Sequence, residues 1–178
     1  MKVIAQTRRL LLREMGPGDL AFMAEMLGDP EVMRFYPKPM SQEEAKAWVD
    51  RQAERYATFG FGWWLCVRKA DSVPVGQAGL VLHSLGAAEV PGLGYMIHRP
   101  HHRQGYAGEA VTAVIDFCRN VLGREDVVAA IRPENAPSQA FARSLGMEDD
   151  GRRAVLVEID HVLFSFPAAR TRPGTSSC

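Results

Sequence analysis

Residues 95–110 read YMIHRPHHRQGYAGEA. An apolar run ends before Pro100, a loop holding Arg103-Gln104-Gly105 follows, and a helical pattern begins at once. Ala107, Ala110, Val111, Val114, Ile115, Cys118 and Leu122 fall close to the i, i+3, i+4, i+7 template, which predicts a helix from Gly105 to about Leu122. The first four amides of such a helix lack helical partners, and its dipole adds about half a positive charge there. Together they suit an anion, phosphate above all. Gly105 and Gly108 let the backbone come close without a Cβ, and Arg103 brings a full charge. The same residues also suit a plain strand–loop–helix connection with a capping glycine. The segment is not a P-loop, since no Gly-Lys-Ser/Thr follows. It is not a dinucleotide fingerprint either: GxGxxG is incomplete and no acidic residue closes the next strand.

Outward from this stretch, the chain alternates strand and helix signals. TRRLLLRE (7–14) sets Leu10 and Leu12 on one face and Arg9 and Arg13 on the other, a period-2 strand. Pro17-Gly18-Asp19 opens a helix that carries Leu20, Met23, Ala24 and Leu27 and ends near Gly28. A turn at Asp29-Pro30 leads into one more helical turn through Met33. Ser41 and Glu44 form a capping box for a helix that stops before Gly60. Residues 63–69 and 73–82 read as buried strands. A third strand covers 93–98, after a loose loop near Gly86–Gly92. Beyond the long helix come a strand at 126–131 and a helix at 136–145 stopped by Gly146. A long strand spans 153–166, with a hairpin partner near 147–150. This order predicts an α/β fold with a mixed sheet, part antiparallel and part parallel. The 178 residues suit one domain over 1–166 and a Pro-, Ser- and Gly-rich disordered tail over 167–178.

Composition narrows the function classes. Lys plus Arg and Asp plus Glu both total 21, so the formal net charge is zero, which argues against a protein built around nucleic-acid phosphates. Three cysteines without framework spacing read as free thiols, and with no CxxC pair a thiolate zinc site is not expected. His101 and His102 are adjacent and cannot chelate as an i, i+4 pair does, so no metal is expected. No signal-peptide core and no membrane-length apolar run is found, and a cytosolic location is expected.

HRQGYAGEA resembles the acetyl-CoA motif of the GNAT superfamily, Gln/Arg-x-x-Gly-x-Gly/Ala, with Gly105 and Ala107 matching and His102 departing at the first position. Three further blocks agree in order. TRRLLLRE, with Asp19 and DPEVMRF, resembles the N-terminal region of the ribosomal-protein-alanine acetyltransferase branch. PVGQAGL is similar to its central strand. Asn135-Ala136-Pro137-Ser138, then Phe141, Leu145, Gly146 and Met147, resembles its NxxSxxxxxxxGF segment. The resemblance covers about residues 7–166. It implies a sheet of six or seven strands, flanked by about four helices and splayed between the 93–98 and 126–131 strands. Acetyl-CoA would lie in that gap as cosubstrate. Its pantetheine would pair with the backbone near Met96, Ile97 and His98, and its pyrophosphate with the amides of Arg103, Gln104, Gly105, Tyr106, Ala107 and Gly108. Asn135, Ser138 and Phe141 would flank the pantetheine arm.

The implied reaction is direct acetyl transfer to a primary amine, on a protein N-terminus or a small molecule, by a monomer or homodimer. Many relatives carry Tyr seven residues after the Asn, where this chain has Ala142, and a Glu on the fourth strand, where it has Gly92-Leu93-Gly94. The resemblance therefore gives Ser138 the role of protonating the leaving thiolate, although a serine there also suits a helix cap. His98 is the local candidate base, or else a strand-end histidine with no role. Glu109 supports the helix start, and Asp160 and His161 read as structural. Phe35, Tyr36 and Trp63 are candidates to line the acceptor side, against ordinary core packing. A non-catalytic acyl-CoA-binding module is the alternative.

Overall fold

The computed structural model describes residues 1–156 and 158–167. Eight strands form one sheet in the order β1-β2-β3-β4-β5-β6-β8-β7. They are β1 Val3–Gln6, β2 Leu10–Arg13, β3 Trp63–Arg68, β4 Pro74–Leu85, β5 Ala88–Ile97, β6 Val128–Ile131, β7 Glu148–Leu156 and β8 Ile159–Ser165. Four helices flank it: α1 Leu20–Gly28, α2 Gln42–Phe59, α3 Tyr106–Asn120 and α4 Ala136–Ser144. All neighbouring strands pair antiparallel except β5 and β6, which are parallel and share the single register pair Gly92↔Val128.

Local chemistry accounts for the helix ends. Ser41 Oγ accepts from the Glu44 amide while the Glu44 carboxylate accepts from the Ser41 amide, and Gly60 closes α2 at φ 75°. Gly105 begins α3 at φ 78°. Asn135 caps α4, its Oδ1 accepting from the Ser138 amide, and Gly146 follows at φ 84°.

Several expectations are corrected. Val3–Gln6 is an edge strand that pairs with β2; its four residues are too few and too exposed to give a periodic signal. The expected loose loop at 86–92 is mostly strand, because Gly86, at φ 66°, turns the chain so tightly that Leu85 faces Ala88. The expected single strand over 153–166 is two strands, reversed at Glu158 with φ 61°; the expected partner near 147–150 is the start of β7. The expected helical turn through Met33 forms, and residues 34–38 go on as turns and bends. The Met33 amide reaches the Asp29 carbonyl, but Pro37 and Pro39 prevent propagation. Of the expected tail, Ala168–Cys178 lies outside the described residues.

Helices cover both faces. α3 packs on Leu10, Leu12, Trp64, Cys66, Ala78 and Leu80. On the opposite face α1 and α2 pack on Trp63, Leu65, Val67 and Met96. α4 closes a smaller core over β6 and β8 with Ala129, Ile131, Met147 and Phe164. Two polar side chains in the α2 layer are fully buried and satisfied. Gln52 accepts from the Trp63 amide at 3.1 Å, and Gln77 accepts from Trp48 Nε1 at 3.0 Å. They hold the Trp48 and Trp63 rings edge to face at 5.5 Å. The Trp63 ring lies over Gly94, where an added Cβ would sit 2.3 Å from ring carbons.

Gly94→Ala should therefore force Trp63 out of place and destabilise the fold by about 1–3 kcal/mol. Urea unfolding, followed by tryptophan emission, measures this.

Candidate active site

The chemistry-bearing residues gather where β5 and β6 part. The His98 amide donates to the Val75 carbonyl at 2.9 Å, and Gln77 is paired with Met96. Backbone groups alternate direction along an antiparallel ladder, so those of Met96 and His98 are spent on β4. Those of Tyr95 and Ile97 point to the other edge, which β6 leaves unpaired beyond Gly92. Of the three expected backbone contacts Met96, Ile97 and His98, only Ile97 thus faces the gap, and Tyr95 joins it. A cavity of about 730 Å³ fills the parting. It reaches from Asn135, Ser138 and Phe141 on the α4 side to Tyr36, Trp48 and Trp63 on the α2 side.

Beside this gap α3 begins. Among the described residues, the amides of Arg103, Gln104, Gly105, Tyr106, Ala107 and Gly108 donate to no protein acceptor. Arg103 and Gly105 both have positive φ, 58° and 78°, which curls the loop so that successive amides converge on an anion. Residues about 100 positions earlier hold that shape. Arg9 Nη1 donates to the Gln104 carbonyl at 2.9 Å. In a planar trans peptide the next N–H points the opposite way, so the Gly105 amide is aimed outward. The same guanidinium lies 4.6 Å over the Tyr106 ring and donates to Glu109 at 2.7 Å. Glu109 also accepts from the Thr7 hydroxyl and the Arg9 amide. Burial pushes its carboxyl upward, but these hydrogen bonds and the Arg9 charge outweigh that and hold it at about 2. His102 Nε2 lies 2.8 Å from the Ile97 carbonyl. A carbonyl can only accept, so that nitrogen carries the proton and ties the loop to the end of β5. Thr7 and Arg9 escape sequence reasoning because nothing local marks a contact at that separation.

On the α4 side, Ser138 Oγ lies 3.4 Å from the Tyr95 hydroxyl, and the Tyr95 ring meets Phe141 edge-on at 4.9 Å. Burial raises the Tyr95 phenol above its ordinary value, opposed by its hydrogen bond with Ser138. The Tyr95 hydroxyl stays protonated at neutral pH. Ala142 lines the same cavity with only a methyl group.

Across the sheet, Trp63 and Tyr36 line the cavity, as does Phe35, whose carbonyl accepts from Arg132 Nη1 at 3.3 Å. His98 is not brought there. Its ring packs edge-on against Phe22 at 5.4 Å, with Nε2 3.5 Å from Glu25, on the α1 side. Side chains alternate along a strand, and His98 shares the face of Met96. Among the described residues no three His, Cys, Asp or Glu side chains gather as a metal site, and no helix is long and apolar enough to cross a membrane.

Comparison with known proteins gives a consistent result. A family model described as acetyltransferase (GNAT) domain matches residues 9–148. The uncharacterized protein YkkB of Bacillus subtilis (strain 168) is 31% identical over 142 residues, covering 79% of this chain and 83% of YkkB. The uncharacterized N-acetyltransferase YnaD of the same organism is 26% identical over 150 residues, 82% of each chain. Among solved structures, the ribosomal-protein-S5-alanine acetyltransferase of Vibrio fischeri superposes with a TM-score of 0.72 at 18% identity, covering 97% of this chain and 100% of that one.

Two outcomes follow from the loop geometry. At Gly105 a Cβ would meet Arg9 Nη2 at 3.3 Å in a left-handed backbone. Gly105→Ala should cost about 1–2 kcal/mol of stability and weaken coenzyme A binding about tenfold or more, read by calorimetry. Glu109→Gln should lower stability at neutral pH by about 1–2 kcal/mol. A carboxyl depressed in the folded state stabilises fully above its ordinary value of 4.5 and loses that contribution as pH falls to about 2. The gap in melting temperature between wild type and variant should therefore close across that window.

Proposed function

Because the chain belongs to the GNAT acetyltransferases, which take their acetyl group from acetyl-CoA, we propose that it transfers this group directly to a primary amine in the cavity between β5 and β6. The observation that carries this reading is the run, among the described residues, of six unpartnered amides from Arg103 to Gly108 beside a strand edge where the Tyr95 backbone and the Ile97 amide are left open by β6. A diphosphate fits the amides, and an extended amide chain such as pantetheine fits the edge at Tyr95 and Ile97. Asn135 and Phe141 flank that chain from α4. Its acceptor is a protein N-terminus or a small-molecule amine.

When bound, acetyl-CoA supplies a thioester whose leaving thiolate has a conjugate-acid pKa of about 8.5, so only modest acid assistance is needed. The Ile97 amide, turned into the gap, donates to the oxygen on which negative charge develops. Ser138 delivers a proton to the departing sulfur, and the proton shed by the attacking amine returns to Ser138 through the Tyr95 hydroxyl beside it, so neither hydroxyl is left ionised. In this way a pair of hydroxyls covers the role left open by Ala142. His98, packed on Phe22, supports the end of β5 rather than touching the amine. The cavity holds the two reactants together, which by itself is worth about 7–11 kcal/mol in favourable cases. The unpaired, buried thiols of Cys66 and Cys118 favour a reducing, cytosolic setting.

Saturating acetyl-CoA should raise the melting temperature, and a panel of amines and N-terminal peptides should release free thiol. Ser138→Ala should lower kcat about a hundredfold while the dissociation constant of coenzyme A stays within about twofold. An unchanged kcat would remove Ser138 from the chemistry. Thermal stabilisation without thiol release from any amine would favour a non-catalytic acyl-CoA-binding module.

A further inference from the structure

The cavity continues past Trp63 to a wall that acetyl transfer itself does not use. There α2 presents Arg51 and Arg55, four residues apart and so neighbours on one helix face. β4 contributes His83, whose ring fills the space above Gly92, where a Cβ would lie 2.1 Å from it. β8 contributes His161, its Nδ1 2.8 Å from the Ile159 carbonyl. All four side chains line the same cavity.

The other charged groups lining the cavity are paired. Lys38 meets Glu44 at 2.8 Å, Arg132 meets Glu134 at 2.5 Å and Glu31 meets Arg34 at 3.3 Å. Arg51 and Arg55 have no carboxylate partner among the described residues, and residues 157 and 168–178 contain no Asp or Glu. Arg55 has only the Gln52 side-chain oxygen, at 3.4 Å. Burial, and then the neighbouring Arg51 charge, push the Arg55 guanidinium below its ordinary value. His83 is likewise pushed down by burial, then by His161 and Arg55, and so stands neutral at pH 7 as a hydrogen-bonding group. Partly desolvated positive charge of this kind is relieved by an anion arriving with the ligand.

We infer that the acceptor amine also carries an anionic group, a carboxylate or a phosphate, which Arg51 and Arg55 bind at the α2 end of the cavity while the amine points past Trp63 towards Ser138. This rests on the acetyl-transfer reading and narrows its acceptor. Amino acids, acidic N-terminal peptides and phosphorylated amines fit. Polyamines and other polycations are repelled by the same wall.

Thiol release on matched pairs tests this: glutamate against its diamide, and phosphoethanolamine against ethanolamine, with spermidine as the polycation. Rates are corrected for the unprotonated fraction of each amine. The expected result is a preference of about tenfold or more in kcat/KM for the anionic member of at least one pair, the carboxylate and phosphate arms identifying which anion. In R51Q/R55Q that preference should fall towards unity, with the KM for acetyl-CoA unchanged. R51Q alone, at an exposed position, should give an intermediate value. A preference for neutral or polycationic members, or one that R51Q/R55Q leaves intact, overturns the inference.

If no amine is turned over, the acetyl-transfer reading fails separately and the anion site is still decided. Emission from Trp48 and Trp63 is titrated with glutarate and with inorganic phosphate in the coenzyme A-bound protein. A saturable change lost in R51Q/R55Q upholds the site. No saturable change, or the same change in the variant, overturns it.

Discussion

Everything in this molecule follows from one incomplete strand pairing. β5 and β6 touch as parallel neighbours at Gly92 and Val128 and then separate. Unpaired backbone N–H and C=O groups are costly in a dry interior, so a parted sheet is stable only if water or a ligand reaches the open edge. The cavity provides that access. It also explains why the site lies at this place: strand ends, a helix N-terminus and two helix layers meet only where the sheet opens.

The parting is kept open by side chains on both faces. Tyr95 and Phe141 brace the α4 side, and the α2 side is set by Trp48 and Trp63, fixed through the buried amides of Gln52 and Gln77. The loop before α3 carries its own strain, since Arg103 is a non-glycine residue in a left-handed conformation. The hydrogen bonds from Arg9 to Gln104 and Glu109 and the contact with Tyr106 over-determine the loop and offset that cost.

Much of this was legible in the chain before any coordinates. α3 announced itself because its apolar spacing is long and regular, and α2 because Ser41 and Glu44 cap each other through nearest-neighbour chemistry. The motif around Gly105 marked the loop whose amides, among the described residues, the fold leaves without protein acceptors. Legibility failed where the deciding contact was distant or the turn was tight. β1 is defined by β2 rather than by its own residues. The hairpin at Gly86 and the reversal at Glu158 depend on one or two backbone angles. For His98 the sequence position was informative, but the strand face was not: the ring turns to Phe22, away from the gap. The contacts of Arg9 and Tyr95, and the place of Arg55 in the cavity wall, appear only when elements far apart in the chain are brought together.

The clamp joining Thr7 and Arg9 to Glu109 and Gln104 has a further consequence. The loop before α3 is held from the first tenth of the chain by residues about 100 positions away, so it cannot mature while either segment is still unstructured. During synthesis the N-terminal hairpin must wait for α3 to emerge, and the loop's amides can converge only afterwards. In the finished protein the dependence runs the other way: a disturbance of the turn at Thr7 and Arg9 loosens the loop before α3. The shape of that loop thus reports on the integrity of the sheet's far edge.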